Sequence, residues 1–249
     1  MERELCQKER KHGMPGTVKK VCAVVGIGPG NGAALARRFA ADGYAVALLS
    51  RSDGASAALA QELPGAKAFR CDVGDAASVA AAFAAVRESL GDVDVVAYNA
   101  GSGIFGGLHD VTAADFEAAW RVNALGLFLV AKEVVPAMSA KGSGAIVVIG
   151  ATASVRGTAR STAFASAKGA QRLLCQSLAR QFGPEGIHVA LIVLDGIVDL
   201  PKTRQRLPDK PDDFFVKPAA VAEVAAALVQ QDRSAWTFEA DVRPFGEKW

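Results

Sequence analysis

A cluster of glycines that joins an apolar segment to an alanine-rich segment constrains the fold of this chain more than any other feature. Glycine lets the backbone turn tightly and lets its amides approach a pyrophosphate, and a following helix presents its N-terminus to the same anion. The alternative is an ordinary turn between a strand and a helix. The apolar run before the cluster and the helical run after it favour a dinucleotide site. The predicted cofactor-binding residues of this turn are Gly26, Gly28, Gly30, Asn31 and Gly32.

The rest of the chain alternates short apolar runs with longer helical stretches, which is typical of βαβ units. Strands are predicted at 21–25, 45–49, 67–71, 93–98, 145–149, 188–194 and 238–242. Helices are predicted at 31–41, 55–62, 76–90, 113–139, 162–182 and 219–230. The sequence therefore predicts a single Rossmann-like α/β domain over 18–249, doubly wound, with a seven-stranded, mostly parallel sheet and helices on both faces.

Two segments depart from this alternation. Residues 1–17 are polar and precede the first predicted strand, so we expect a disordered leader, with Met14 as a candidate start. Residues 195–217 are rich in proline and charged residues. This composition predicts an irregular, mobile flap that covers a ligand.

Composition narrows the class of function. The formal net charge is only +2, from 28 basic and 26 acidic residues, so no strong field favours nucleic acid or an anionic membrane. A small-molecule substrate fits better. The charged start and the lack of a long apolar run predict a cytoplasmic protein without a membrane partner. The 4 cysteines and 3 histidines show no metal-ligand spacing, so no metal site is predicted.

The end of the second predicted strand distinguishes between two cofactors. An NAD site places a carboxylate there, about 20 residues after the glycines, to bind the ribose diol. Ser50 and Arg51 stand there instead, and a hydroxyl and a guanidinium bind a 2′-phosphate through charge-assisted hydrogen bonds. The sequence therefore favours NADP. Two alternatives stay open, because Arg51 can be a solvated loop residue and the nearby Asp53 can bind the diol of NAD.

The pentapeptide Phe164–Lys168, together with the glycine turn and the segment Tyr98–Gly101, resembles the short-chain dehydrogenase/reductase family. The active-site motif of that family has tyrosine first and lysine four residues later, so the tyrosine position here holds Phe164. The glycine spacing matches the family pattern Thr-Gly-x-x-x-Gly-x-Gly, with Val25 in place of threonine. The resemblance covers about 18–242 and marks an atypical subgroup that lacks the phenol.

The resemblance also implies cofactor contacts along one edge of the sheet. In the family an aspartate after the third strand accepts a hydrogen bond from adenine, and small residues after the fourth strand let the backbone pass close to the cofactor. Backbone groups after the sixth strand hold the nicotinamide amide, and the lysine holds the ribose. The residues at these positions are Asp72, Val73, Asn99, Ala100, Gly101, Gly196, Ile197, Val198 and Lys168.

The resemblance further implies four catalytic positions. In the family a tyrosine donates the proton, a lysine lowers the pKa of that phenol, a serine polarises the carbonyl and an asparagine anchors a proton-relay water. Lys168 and Asn123 match two of these, although a solvated lysine and a locally bonded asparagine are the alternatives. The serine position holds Ala151, and Phe164 lies on the same helical face as Lys168. Candidate replacements for the donor are Thr152, Ser154, Ser161 and a water held by Lys168 and Asn123.

These residues define three hypotheses about function. Hydride transfer to a carbonyl builds negative charge on oxygen, so the reaction needs a proton donor within reach. The first hypothesis is an atypical NAD(P)-dependent oxidoreductase of carbonyl and alcohol groups, with NADP favoured and a non-standard proton donor. The second is a nucleotide-binding pseudoenzyme that acts as a sensor or scaffold. The third is non-redox chemistry such as hydration or isomerisation. The resemblance also implies a homodimer or homotetramer.

Overall fold

The computed structural model describes residues 19–247, so the predicted leader at 1–17 lies outside the described residues. The strands are β1 (Val21–Val25), β2 (Ala45–Ser50), β3 (Lys67–Arg70), β4 (Val93–Tyr98), β5 (Gly144–Ile149), β6 (Ile187–Leu194), β7 (Ile197–Val198), β8 (Phe215–Val216) and β9 (Glu239–Val242). The helices are α1 (Asn31–Ala41), α2 (Asp53–Glu62), α3 (Ala76–Leu90), α4 (Ala113–Trp120), α5 (Gly126–Ala140), α6 (Thr162–Phe182), α7 (Pro201–Arg206) and α8 (Pro218–Val229).

Seven strands form one sheet in the order β3-β2-β1-β4-β5-β6-β9, and every neighbouring pair is parallel. The prediction of a seven-stranded, doubly wound sheet is confirmed, and this sheet is entirely rather than mostly parallel. The strand order reverses between β1 and β4. In open α/β sheets this reversal leaves a crevice at the carboxyl ends of the strands, where ligands bind.

Both faces of the sheet are covered, which explains why its central strands are apolar without alternation. On one face, β-strand valines pack against α3, α5 and α6 through side chains such as Phe83 and Leu127. On the other face, α1 and α8 pack through side chains such as Leu35, Phe39 and Val221.

The helix predicted over 113–139 is interrupted, and this is a correction. It begins at the expected capping box, in which Thr112 and Asp115 bond reciprocally. A π-helical turn at Arg121–Leu125 then separates α4 from α5. Within this turn the carbonyl of Val122 accepts a hydrogen bond from the Tyr98 hydroxyl at 2.6 Å. Side chains that bond to helix carbonyls compete with the regular ladder, and such π turns are frequent at functional sites.

Among residues 19–247, the span Ala113–Ala140 is the one helix long and apolar enough by composition to cross a membrane. Half of its most apolar window is buried inside the fold. Its α5 part supplies seven buried residues to the helical layer beside α3 and α6, which is the behaviour of a core helix. The absence of a membrane partner and the cytoplasmic location stay predictions.

The segment predicted as an irregular flap has regular parts. Strands β7 and β8 pair with each other, and α7 lies between them. Arg204 holds this lobe together, because its guanidinium bonds Asp199 at 2.7 Å and Asp212 at 2.6 Å and lies over the ring of Phe215. The proline and charge content signalled an exposed excursion from the sheet, but not these local pairings. The mobility of the segment stays a prediction.

Candidate active site

The glycine turn connects β1 to α1 and packs against the end of β4. Gly26 has a φ of 97°, and a Cβ there would lie 2.5 Å from the backbone nitrogen of Ala100. A Cβ at Gly32 would lie 2.5 Å from the carbonyl oxygen of Gly26. Asn99 Nδ2 donates to that same oxygen at 2.7 Å. The backbones of the turn and of β4 therefore meet with no side chain between them, as a dinucleotide cradle requires.

The remaining residues of the turn differ in their surroundings. A Cβ at Gly28 would have no atom within 4 Å, so this position is open. A Cβ at Gly30 would lie 2.5 Å from Cδ2 of Leu200, because that side chain covers the turn. The Oδ1 atom of Asn31 is buried without a hydrogen-bond partner. A buried acceptor without a partner at the start of α1 fits a donor group on a ligand.

A cavity of 570 Å³ follows the carboxyl edge of the sheet from β2 to β4, across the point where the strand order reverses. Its volume lies in the range of cofactor sites. Sequence reasoning missed Ser52, Ser102 and Val122 on its walls. The predicted residues that line it are Gly26, Ser50, Arg51, Val73, Asn99, Ala100 and Gly101.

At the β2 end of the cavity, the two predicted phosphate ligands, Ser50 and Arg51, differ in whether their polar groups are already used. The Ser50 hydroxyl is buried and bonds within its own turn, to the carbonyl of Ser52 at 2.7 Å and to Ser56 Oγ at 2.9 Å. Ser52 precedes α2, and its side chain makes no capping hydrogen bond. The exposed Arg51 stands beside it. Arg51, the Ser52 hydroxyl and the N-terminus of α2 therefore have the chemistry to bind an anion here, whereas Asp53, the alternative ligand for a ribose diol, is the first residue of α2.

Asp72, predicted to accept a hydrogen bond from adenine, lies just after β3. Its Oδ1 accepts a hydrogen bond from the backbone nitrogen of Gly74 at 3.0 Å. Its neighbours Cys71 and Val73 line the cavity, but Asp72 itself is exposed beside it. One carboxylate oxygen therefore shapes the local turn.

Lys168 and Asn123 both lie close to Gly101, which lines the other end of the cavity, and neither is itself among the residues that line it. Both are buried, with Lys168 only 5% exposed and Asn123 0% exposed. The Lys168 ammonium group donates to the carbonyl of Ile149 at 3.0 Å and to Gln171 Oε1 at 2.9 Å. A Cβ at Gly101 would lie 3.8 Å from Lys168 Nζ and 3.4 Å from Asn123 Oδ1. The two predicted residues therefore face the same short stretch of cavity wall.

The polar atoms of this pair are not all used. Asn123 Nδ2 donates to the carbonyls of Ala119 at 2.9 Å and Ser102 at 3.1 Å, whereas its Oδ1 is buried without a partner. An ammonium group has three hydrogens, and two of those of Lys168 are given to protein acceptors. One hydrogen of Lys168 and the Oδ1 of Asn123 thus have no protein partner. Burial lowers the pKa of Lys168 to about 8, with the Cys175 thiol acting in the opposite direction.

Phe164 lies one helical turn before Lys168, as predicted. Its ring packs against the ring of Phe105, with centroids 4.8 Å apart and planes tilted by 49°. Lys168 Nζ lies 6.0 Å from the Phe164 centroid. The position that the resemblance gives to an acid is thus occupied by an apolar wall that faces the lysine.

Two of the three candidate replacement hydroxyls, those of Thr152 and Ser161, already donate to protein acceptors. Because β5 ends at Ile149, Thr152 already belongs to a 3₁₀ turn, and its hydroxyl donates to Asp195 Oδ1 at 2.6 Å. Its proton is therefore committed to a carboxylate and does not polarise a carbonyl. Ser161 bonds within the loop to Thr158. Ser154 Oγ is buried without a partner, and Ala151 supplies no polar group.

Neither tyrosine of the chain replaces the missing phenol. Tyr98, at the end of β4, is fully buried, and its hydroxyl donates to the carbonyl of Val122 at 2.6 Å. Burial raises the pKa of this phenol well above its usual range. Tyr44 precedes β2, at the opposite edge of the sheet.

The backbone groups predicted to hold a nicotinamide amide lie in the lobe after β6. Ile197 and Val198 form β7, and Gly196 has a φ of 155° where Pro244 and Val216 approach closely. None of the three lines the 570 Å³ cavity. The lobe reaches the cradle through Leu200, which covers Gly30.

Comparisons with known proteins agree with this geometry. The short chain dehydrogenase family matches residues 20–211. Over 203 residues the chain is 35% identical to 2-(R)-hydroxypropyl-CoM dehydrogenase of Xanthobacter autotrophicus, covering 78% of this chain and 80% of that protein. It is 31% identical to the 3-oxoacyl-(acyl-carrier-protein) reductase MabA of Mycobacterium tuberculosis over 228 residues, which cover 88% and 89% of the two chains. The X-ray structure of alcohol dehydrogenase from Thermococcus sibiricus complexed with 5-hydroxy-NADP superposes with a TM-score of 0.83 at 27% identity, covering 92% and 98% of the two chains.

The parallel sheet, its two helical layers and the cavity at the reversal of strand order define an α/β protein of the Rossmann type. Specifically, the chain belongs to the short-chain dehydrogenase/reductase family. These two relatives are a dehydrogenase and a reductase, so the oxidoreductase class is supported at the level of the family.

Proposed function

We propose that the protein binds NADP(H) in the edge cavity and acts as an atypical oxidoreductase of carbonyl and alcohol groups, with a proton donor other than residue 164. The observation that carries this proposal is the pairing of two polar ends on one cavity. Arg51 and Ser52 stand at the β2 end, and Gly101, which faces Lys168 and Asn123, lines the other.

The residues present fit the cofactor that the family implies. Arg51 and Ser52 would bind the 2′-phosphate, and the backbone amides at the start of α1 would bind the pyrophosphate. Lys168 and Asn123 would bind the ribose hydroxyls through their unused hydrogen and oxygen. The bound cofactor supplies the hydride, while the protein orients it and manages the proton.

Lys168 is the titratable group that the geometry favours as proton donor. The unused hydrogen of Lys168 would supply the proton that the substrate oxygen takes up on reduction, passed on through the ribose hydroxyl that this hydrogen would bond. The amine left behind recovers its proton from water. Burial lowers the pKa of Lys168 to about 8, which makes the ammonium a better acid than a solvated lysine. The rate should nevertheless be low, since loss of a positioned acid typically costs about 10² to 10⁴.

Direct titration tests the NADP preference. Titrating the purified protein with NADPH and NADH should give tighter binding of NADPH, and Arg51→Ala should remove most of that difference, by about tenfold or more. Arg180→Ala, an exposed arginine on α6, is the matched control. Equal affinity for the two nucleotides in the wild type would contradict the preference and favour the NAD alternative.

Turnover tests the oxidoreductase assignment. A panel of aldehydes and ketones should give slow oxidation of NADPH that is lost in Lys168→Met. A wild type that binds NADPH tightly but oxidises none of it with any member of the panel would select the second candidate function, a nucleotide-binding pseudoenzyme. That candidate is favoured by one observation, the replacement of the acid by a ring that packs against Phe105.

We also propose that the protein assembles as a homodimer or homotetramer through α4, α5 and α6. Large apolar side chains are exposed on these helices, with Phe116, Trp120 and Phe128 each more than 40% exposed and Leu173 61% exposed. Exposed apolar groups of this size favour association. Light scattering should report two or four chains, and Leu173→Asp should shift the distribution towards monomer. A monomeric wild type would contradict this assembly.

A further inference from the structure

A buried glutamine joins the two polar residues at the lysine end of the cavity. Gln171 is 0% exposed and lies three residues after Lys168 on α6. Its Oε1 accepts from Lys168 Nζ at 2.9 Å, and its Nε2 donates to the backbone carbonyl of Asn123 at 2.8 Å. Both ends of the amide are therefore used, and both are used on residues of the candidate site.

The backbone carbonyl that Gln171 reaches lies in the irregular part of the helix pair. Asn123 belongs to the π turn at Arg121–Leu125, between α4 and α5. A π turn widens the spacing of helix hydrogen bonds, which makes a backbone carbonyl accessible to a side chain. The π turn and Gln171 are thus two parts of one arrangement, in which α6 is tied to the α4–α5 span beside Lys168.

The chemistry of an amide differs from that of the water that the family resemblance implies near Lys168 and Asn123. Water accepts one proton while it gives up another, whereas a neutral amide has no titratable proton at the pH of a cell. The span from Lys168 Nζ to the Asn123 carbonyl is filled by the Gln171 side chain. The connection is therefore a fixed support for the ammonium group.

The surroundings of Lys168 contain little other charge. Ile149 and Gln171 present neutral oxygens to its Nζ, and Phe164 presents a ring face 6.0 Å away. The π turn and the end of β4 present the amide of Asn123 and the backbone at Gly101. The ionisable group that acts on Lys168 is the thiol of Cys175, further along the same helix.

We propose that Gln171 is a positioning residue, which orients the Lys168 ammonium group towards the cavity and supplies one of the two acceptors that keep it protonated. Lys168 is otherwise desolvated, and a hydrogen bond accepted from a charged form favours that form. The consequence for ligand binding rests on the proposed function. The effect on Lys168 itself does not, so the two can fail separately.

The titration of Lys168 measures this role without any ligand. Protein labelled with ¹³C at the lysine Cε atoms gives a Lys168 signal, assigned by its loss in Lys168→Met, whose shift follows protonation. In Gln171→Glu a carboxylate replaces the neutral oxygen, so the midpoint should rise by about 1 pH unit or more. In Gln171→Leu one acceptor is lost, so the midpoint should fall. A purely structural role would not move the midpoint in opposite directions in the two variants.

The control is Gln181→Glu, which adds the same charge at an exposed position near the end of α6. Its Lys168 midpoint should match that of the wild type. A midpoint that is unchanged in both folded Gln171 variants would overturn the proposal. If one of the two Gln171 variants fails to fold, the Lys168 midpoint in the other variant decides the proposal.

NADPH titration over the same pH range connects the inference to binding. The pH at which NADPH affinity declines should follow the Lys168 midpoint, upward in Gln171→Glu. A decline that stays at the wild-type pH, while the midpoint moves, would overturn the claim that Lys168 faces the ligand. Absence of NADPH binding at every pH would contradict the proposed function. The ¹³C titration would still test the effect of Gln171 on Lys168.

Discussion

The two ends of the cavity at the carboxyl edge of the sheet differ in how closely their residues match the family pattern. At the nucleotide end, the glycine turn, the backbone of Asn99 to Gly101 and the Arg51 edge all keep the form that a dinucleotide site needs. At the chemical end, Lys168 and Asn123 are kept, but an aromatic ring and a methyl group occupy the positions of the acid and the polarising hydroxyl. The difference teaches that a binding site and a proton-transfer site are separable, since each depends on different atoms.

The chemical end has not simply decayed. A buried lysine costs free energy unless its charge is satisfied, and here Ile149 and Gln171 both accept from it. Asn123 keeps one unpartnered oxygen directed to the same place. A site that had lost all use of the lysine would gain stability from an apolar residue at this position. The network is therefore consistent with the ligand contact that we propose for Lys168.

The largest expected effect comes from restoring the missing groups. Phe164→Tyr combined with Ala151→Ser returns a phenol beside Lys168 and a hydroxyl beside the carbonyl. NADPH-dependent carbonyl reduction should rise by about 10² to 10⁴, or about 3 to 5 kcal/mol of barrier. Initial rates with the aldehyde and ketone panel measure this.

The matched control for that variant is Phe105→Tyr, which adds a phenol to the other ring of the same pair. It should leave the rate unchanged, because its hydroxyl does not lie one helical turn from Lys168. Equal rates in the restored double variant and the wild type would contradict the view that the chemical end lacks only its acid and hydroxyl.

Most of the fold could be predicted from the sequence, because its signals are local. The runs at 21–25 and 93–98 were predicted with the same bounds that β1 and β4 have, since an apolar run between polar turns specifies a buried strand. The interrupted helix was not predicted. Its π turn involves contacts of Tyr98 and Gln171 with carbonyls of the turn, and these partners lie 24 and 48 residues away in sequence.

The candidate site likewise contains residues that local motifs indicate and contacts that only the tertiary structure reveals. Motif spacing assigned roles to the glycines, Arg51 and Lys168, and these roles stay predictions. Thr152 was one candidate replacement donor, and its hydroxyl donates to Asp195, 43 residues away, a contact that spacing did not indicate. Gln171 was missed, although its place three residues after Lys168 on an amphipathic helix was a usable signal. Side-chain partners across the sheet edge depend on the tertiary structure, so composition and spacing alone do not identify them.

At the nucleotide end, the close approach of two backbones can be broken directly. Gly26→Ala places a Cβ 2.5 Å from the nitrogen of Ala100, at a φ of 97° that L-residues rarely adopt. We expect the free energy of unfolding to fall by about 2 to 3 kcal/mol, with loss of NADPH binding. Urea unfolding and fluorescence titration measure the two effects.

Gly28→Ala is the control for this close approach, because its Cβ would have no atom within 4 Å. It should unfold like the wild type and affect only ligand affinity. Similar stability losses in the two glycine variants would show that the turn, rather than its contact with β4, is what the substitution disturbs.

The chemical end has a pH signature of moderate size. Burial lowers the pKa of Lys168 to about 8 from 10.5, so between these values the folded protein binds fewer protons than the unfolded chain. The contribution of Lys168 to the free energy of unfolding therefore rises with pH in this window, by up to about 1.4 kcal/mol per pH unit. Burial also raises the pKa of Cys22 and Cys175, and these thiols act in the opposite direction once the unfolded chain ionises them.

Comparison with Lys168→Met cancels the contribution of the thiols. Urea unfolding at about pH 7, 8 and 9 should show the wild type gaining about 1 kcal/mol relative to the variant between the last two values. If the free energies of unfolding of the two proteins changed in parallel with pH, Lys168 would not be desolvated. That result would contradict the buried position of Lys168.

The smallest effect is expected where the two ends meet, at Leu200. This side chain covers Gly30 of the cradle. Leu200→Thr should strengthen NADPH binding by about 1 kcal/mol, roughly fivefold, because its hydroxyl can donate to the pyrophosphate. Leu200→Val has nearly the same shape without the hydroxyl, so it separates the hydrogen bond from the loss of bulk. Equal NADPH affinity in the two variants would show that residue 200 acts only by covering the glycine turn. The lobe after β6 would then affect the nucleotide site only through packing against that turn.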